Sequence, residues 1–147
     1  MDLKNLVIKL NEYENFNNIE ELYNLLYNYN SFDYKDLITF SENTYNKLFL
    51  HTSDNFDLIL ICWKKGQYTQ IHDHPDFCCL LKMLEGKLLE EEYLNIDNNL
   101  QINQINILEN NMIVNKKQDK ILHKIIAQED SVSLHLYIPG FYKPKYY

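Results

Sequence analysis

No arginine occurs anywhere in the 147 residues: all 14 cations are lysines, set against 21 acidic residues for a formal net charge of -7. A nucleic-acid backbone is gripped by a basic stripe, and this chain has none, so no nucleic-acid partner is expected. Long apolar runs are missing as well. None approaches the roughly 18 residues needed to cross a bilayer, and Met1-Asp2-Leu3-Lys4 opens nothing like a signal peptide, so no membrane association is expected. Cysteine is scarce: Cys62, Cys78 and Cys79 are too few for a disulfide framework and lack the CxxC pairs of a structural zinc site. A soluble protein of the reducing cytoplasm is expected. Glycine and proline number three each, so punctuation falls largely to the abundant asparagine, and no internal repeat is visible. The length suits one domain, 1–147, and a monomer is expected.

What is present divides into two textures. Leu3, Leu6, Val7 and Leu10, then Ile19, Leu22, Leu25 and Leu26, recur at helical spacing. Asn18 with Glu21 three residues on resembles a capping box, and a third short turn is expected around Tyr34, Leu37 and Phe40. Residues 1–44 therefore read as a helical part. From Tyr45 onward the chain turns to short β-type runs: Leu48–Leu50, Asp57–Trp63, Phe77–Leu84, Lys87–Leu94, Lys120–Ile126 and Val132–Ile138. Glu85-Gly86, Asn98-Asn99 and Asn110-Asn111 are turn signals between runs, because Asn and Gly tolerate positive φ. Eight or so strands over residues 45–141 predict an all-β jelly-roll barrel, followed by an aromatic tail, 142–147.

Chemistry concentrates in the barrel. In Ile71-His72-Asp73-His74, strand alternation would put both imidazoles on one face, as a transition metal requires of two neighbouring ligands. His123 and His135 are candidates for a third, while an HxH pair can also arise by accident. The surroundings decide. Gly66 precedes His72 with five residues between, and Gly86 closes a spacing that resembles the first cupin motif, with Cys79 standing where that motif has its glutamate.

Cys62-Trp63, Ile71 to His74, Cys79, Lys82, Leu84, Gly86 and Tyr93 resemble the cysteine dioxygenases. So do Leu122-His123-Lys124 and the run Ser131 to Tyr137 followed by Pro139. The resemblance implies a cupin that holds one iron(II) on His72, His74 and His123 and adds dioxygen to L-cysteine, giving the sulfinic acid. It implies Tyr137 as the active-site phenol and Cys79 as the partner of a thioether link to it. Ser133, His135 and Tyr137 alternate along one strand face, so a hydrogen-bonded relay among them is natural there. Cys78 points to the face opposite Cys79 if the strand is regular, and Cys62 reads as core.

One departure matters. The family's mammalian members hold the substrate carboxylate with arginine in a Tyr-x-Arg setting, and Tyr45-Asn46-Lys47 aligns with that setting. Lys47 supplies the charge without the bidentate fork, or is a surface residue of an edge strand. Two other functions stay open: oxidation of 3-mercaptopropionate or another small thiol, and a redox-inert metal-binding cupin. With the substrate cover of longer relatives shortened, Tyr142, Tyr146 or Tyr147 could take its place.

Overall fold

The structure is a computed structural model that describes residues 1–13, 16–116 and 121–147. The chain falls into two compact units, Met1–Thr39 and Phe40–Tyr147. In the first, α1 (Leu3–Asn11) starts where the Asp2 carboxylate accepts the Asn5 amide, and α2 (Ile19–Asn28) starts where Asn18 accepts the Glu21 amide, as the capping signal predicts. Leu3, Leu6 and Leu10 of α1 and Leu22 and Leu26 of α2 are buried, so the helical spacing does mark the apolar face. The expected third turn is a short 3-10 helix, Asp33–Leu37, with Tyr34 buried and Phe40 beyond its end. Among the described residues no helix is long and apolar enough to cross a membrane.

Among the described residues the second unit holds eight strands: β1 (Asn46–Thr52), β2 (Asp57–Trp63), β3 (Cys78–Glu85), β4 (Lys87–Ile96), β5 (Asn99–Glu109), β6 (Ile113–Lys116), β7 (Ile121–Ala127) and β8 (Ser131–Ile138). The expected start of β7 at Lys120 lies outside the described residues. Five strands form one antiparallel sheet in the order β1-β2-β8-β3-β6, and three form a second in the order β5-β4-β7. Ile59, Ile61 and Trp63 of β2 and Leu81 and Met83 of β3 pack against Leu88, Leu108, Ile125 and Ala127 of the other sheet, filling the core between them. Strand β2 is buried at every position, which explains its unbroken apolar run; β4 alternates, so only one of its faces points inward.

The turns follow backbone chemistry. Gly86 joins β3 to β4 at φ +81°, and a Cβ there would stand 2.3 Å from the Ser131 hydroxyl, so both conformation and space require glycine. Asn110-Asn111 turns with both residues at positive φ, as expected. The β4–β5 turn sits one residue earlier than predicted, on Asp97 and Asn98, since Asp tolerates the left-handed region as Asn does.

Candidate functional site

The site is a narrow cavity of about 30 Å3 between the sheets. Tyr45, Lys47, His72, His74, Cys79, His123, His135 and Tyr137 all line it, although they are spread over more than ninety residues of sequence. Ser133 is fully buried and touches the site through His135.

The segment Ile71 to His74 is not the regular strand that the HxH spacing predicts. Only His72 of this segment pairs, through isolated β-bridges: with His123 it exchanges both backbone bonds at 3.0 Å, and it bridges Tyr146 on its other side, after which the chain leaves the sheet. Pro75 offers no amide for a ladder, and the Asp73 amide bonds to Lys145 instead. The imidazoles of His72 and His74 nonetheless enter the same cavity, 6.3 Å apart between centroids, and His123 of β7 meets His74 at 4.0 Å. His135 stands apart on β8, so of the two candidates for a third imidazole it is His123 that joins the cluster.

The protons of this cluster can be placed from its partners. His123 Nδ1 lies 2.8 Å from a carboxylate oxygen of Glu90, and His72 Nδ1 lies 2.7 Å from the Gln70 carbonyl; neither oxygen can donate, so both Nδ1 atoms carry the hydrogen. Both Nε2 atoms are then left with bare lone pairs, and they face one another at 2.8 Å. Burial pushes the pKa of His72 down and that of His123 well below the ordinary histidine value, so a shared proton is not retained there at neutral pH. His74 is 3% exposed and neither of its ring nitrogens has a hydrogen-bond partner. Burial, then the neighbouring imidazoles, depresses its pKa to about 2. Three neutral imidazoles with opposed or orphaned lone pairs are costly as they stand, and a cation placed among them removes the conflict. The donor set therefore fits a transition metal. Among the described residues no three such side chains are already closed around a common point, so seating an ion requires the rings to adjust.

Behind His123 runs a network that sequence reading missed. Glu90, fully buried, also accepts from the Lys116 ammonium at 2.7 Å and from the Asn106 amide at 3.0 Å, and Lys116 reaches Glu92 at 2.5 Å. The available signal was parity: Glu90 and Glu92 share a strand face with Leu88, so two carboxylates had to lie inside and find partners. Fixing the ring tautomer of a ligating histidine through a carboxylate raises its basicity. Glu90→Gln is accordingly expected to lower divalent-metal affinity about 10- to 100-fold, read by competition with a chromophoric chelator; unchanged affinity would show that Glu90 serves packing alone.

On β8, the Ser133 hydroxyl accepts from the Trp63 indole at 2.9 Å and lies 2.8 Å from His135 Nε2, so it donates to that nitrogen. Burial depresses the His135 pKa to about 3, which keeps the ring a neutral acceptor. The relay reaches Tyr137 only as a ring contact, edge to face at 5.8 Å, rather than as a hydrogen bond. Cys79 of β3 stands directly opposite Tyr137 of β8 in the ladder. Burial raises the pKa of both well above ordinary values, so thiol and phenol are neutral. Cys62 and Cys78 are fully buried and line no part of the cavity, so Cys78 faces away from the site as strand parity predicts.

Lys47 combines an edge strand with a place in the cavity. Strand β1 is the edge of its sheet, yet the Lys47 side chain lines the cavity, its Nζ 5.9 Å from the Tyr45 ring centroid, and Tyr45 stacks on Trp63 at 4.7 Å. Burial lowers the Lys47 pKa.

Comparison with known proteins follows the same lines. Residues 2–147 match the family Cysteine dioxygenase type I. Cysteine dioxygenase type 1 of Danio rerio is 32% identical over 134 residues, covering 84% of this chain and 67% of that protein. The Bos taurus enzyme of the same name is 38% identical over 92 residues, covering 58% of this chain and 46% of its own length, so less than half of that relative is represented. Among solved structures, a Klebsiella pneumoniae protein with a double-stranded β-helix domain superposes with a TM-score of 0.64 at 14% identity, over 79% of this chain and 95% of its own. A cupin superfamily protein from Desulfitobacterium hafniense superposes with a TM-score of 0.57 at 16% identity, over 70% and 84%. The fold is a cupin, as the motif spacing predicts.

Proposed function

Since this chain belongs to the cysteine dioxygenase type I family, we propose that it holds one iron(II) on His72, His74 and His123 and oxidises L-cysteine with dioxygen to cysteine sulfinic acid, both oxygen atoms ending on sulfur. The observation that carries this reading is the pair of bare imidazole nitrogens at 2.8 Å beside an unpartnered His74, in a cavity that also holds a lysine and a phenol. Iron(II), when bound, supplies a redox-active centre with positions open to thiol and dioxygen, which zinc does not.

The chain's own residues do the rest. Lys47 draws the substrate carboxylate to one end of the cavity by charge, with the Tyr45 phenol beside it. Tyr137, kept protonated by burial, presents a hydroxyl donor at the reacting end. His135, held by Ser133 and Trp63, fixes the side against which Tyr137 packs. The walls limit water and so limit stray oxidation. Facing positions of Cys79 and Tyr137 support a thioether between them. Its formation removes the thiol hydrogen and one ring hydrogen, two electrons and two protons in all, which dioxygen can accept. No macromolecular partner enters this chemistry, and a cytoplasmic monomer suits it.

Dioxygen uptake by the iron(II)-loaded protein, with sulfinate quantified, tests the reading. Coupled uptake with L-cysteine is expected; preference for 3-mercaptopropionate would move the substrate, and no uptake despite bound metal would leave a metal-binding cupin. Within that assay Lys47→Ala is expected to raise KM for cysteine about 10- to 100-fold, the equivalent of a lost hydrogen bond to a charged group, with kcat nearly unchanged. An unaltered KM would show that Lys47 does not hold the carboxylate.

A further inference from the structure

The last six residues do not fray. Tyr142 donates its hydroxyl to Asp73, both to the main-chain carbonyl at 2.6 Å and to the carboxylate. The Lys145 amide bonds to the same carboxylate at 2.9 Å, and the Asp73 amide returns a bond to the Lys145 carbonyl at 3.2 Å. Beyond them the Tyr147 amide reaches the Ile71 carbonyl at 3.0 Å, and Tyr146 forms a β-bridge with His72. The tail thus lies as a strap along the segment that carries His72 and His74, and Asp73 is its anchor.

This strap forms a wall of the cavity through Tyr142, Pro144 and Tyr146. The Tyr142 ring meets Tyr137 edge to face at 5.5 Å, and the Tyr146 ring lies 6.2 Å from His72. Tyr146 lines the cavity together with Tyr45 and Tyr137. The Asp73 carboxylate gathers two of the strap's bonds, from the Tyr142 hydroxyl and the Lys145 amide, beside the main-chain bonds at Asp73 and Ile71 and a bond from the Tyr142 amide to Asp57 at 3.4 Å.

From this arrangement we propose that the strap sets which thiols the cavity admits, with Tyr146 as the specificity-determining side chain and the Tyr142–Asp73 contact as the latch. The proposal rests on the thiol-dioxygenase reading for the kind of ligand, but not for the latch. A latched Tyr146 closes the space beyond the substrate carboxylate, so cysteine fits and a thiol extended at that carboxylate does not. Tyr142→Phe keeps the ring and removes the hydroxyl; Tyr146→Ala opens the wall and leaves the latch.

Two measurements decide it. In amide hydrogen exchange, Tyr142→Phe is expected to speed exchange at Asp73, Lys145 and Tyr147 at least about tenfold while β2 and β8 keep their protection; uniform exchange across all of these would overturn the latch. In anaerobic titration of the iron(II)-loaded protein with L-cysteine and with cysteinylglycine, Tyr146→Ala is expected to narrow the preference for cysteine about tenfold or more. An unchanged ratio, or binding of neither thiol by the wild type, would overturn the wall. Binding needs no turnover, so a protein that discriminates the two thiols yet oxidises neither would refute the dioxygenase reading and leave the strap standing.

Discussion

His74→Ala is expected to bring the iron content of the purified protein to background and with it all sulfinate formation. The ring it removes is the one whose two nitrogens are buried without any partner. In the absence of an ion, such a side chain is a liability of about 1–3 kcal/mol, the cost of desolvating an unpaired polar group. His74→Leu, which fills the same space without polar atoms, is therefore expected to stabilise the metal-free protein by about that amount, raising its melting temperature by a few degrees. The paired outcome separates a ligand from a structural histidine: the ligand trades stability for metal, and a structural residue loses stability and leaves metal unchanged. Iron content that persisted in His74→Ala, measured by elemental analysis, would sink the assignment of His74.

Acidifying the metal-free protein from pH 7 to 5.5 is expected to cost it about 4 kcal/mol, drawn from three buried histidines at about 1.4 kcal/mol per pH unit each below the unfolded pKa. His74, His123 and His135 are 3%, 6% and 4% exposed, and burial is the largest cause of the depressed pKa in each. The sign follows from the proton count. Each of these rings is neutral in the fold, while in the unfolded chain it titrates near pH 6.5. Below that value the unfolded state binds more protons, so stability that is whole above pH 6.5 falls as pH drops toward the folded values, about 3 for His135 and about 2 for His74. Against a total of roughly 5–15 kcal/mol for a domain, that loss is a large share. Urea midpoints measured across the range check it, and a flat profile between pH 7 and 5.5 would show that these imidazoles are not held neutral by the fold. Iron loading is expected to shift the acid transition downward, since an ion on His72, His74 and His123 competes with their protons.

Much of this molecule was legible before any coordinates, and the legible part was local. The helix caps at Asn18, the strand parity of Ser133, His135 and Tyr137, and the turn at Gly86 depend on neighbours within a few residues, where backbone sterics and side-chain period dominate. The HxH spacing located two of three clustered histidines, although the segment bearing them forms isolated bridges at His72 and not a strand, because Pro75 and the tail take it out of the ladder. Tyr142 and Tyr146 could be named as replacements for a missing cover, but nothing in Phe141–Tyr147 indicated which residue would anchor them.

What the sequence alone determined, then, is the inventory and its parity: which side chains are chemically able, and which of them share a face. The tertiary structure decided the meetings. Glu90 touches His123 across 33 residues and Trp63 holds Ser133 across 70. Lys47 enters the cavity from an edge strand, and Asp73 meets a tail about seventy residues away. Those contacts arise from strand order, with β8 placed between β2 and β3 and β7 beside β4. Strand order is a global choice: it is selected by burying one apolar core between two sheets, and no short stretch of chain carries that energy by itself.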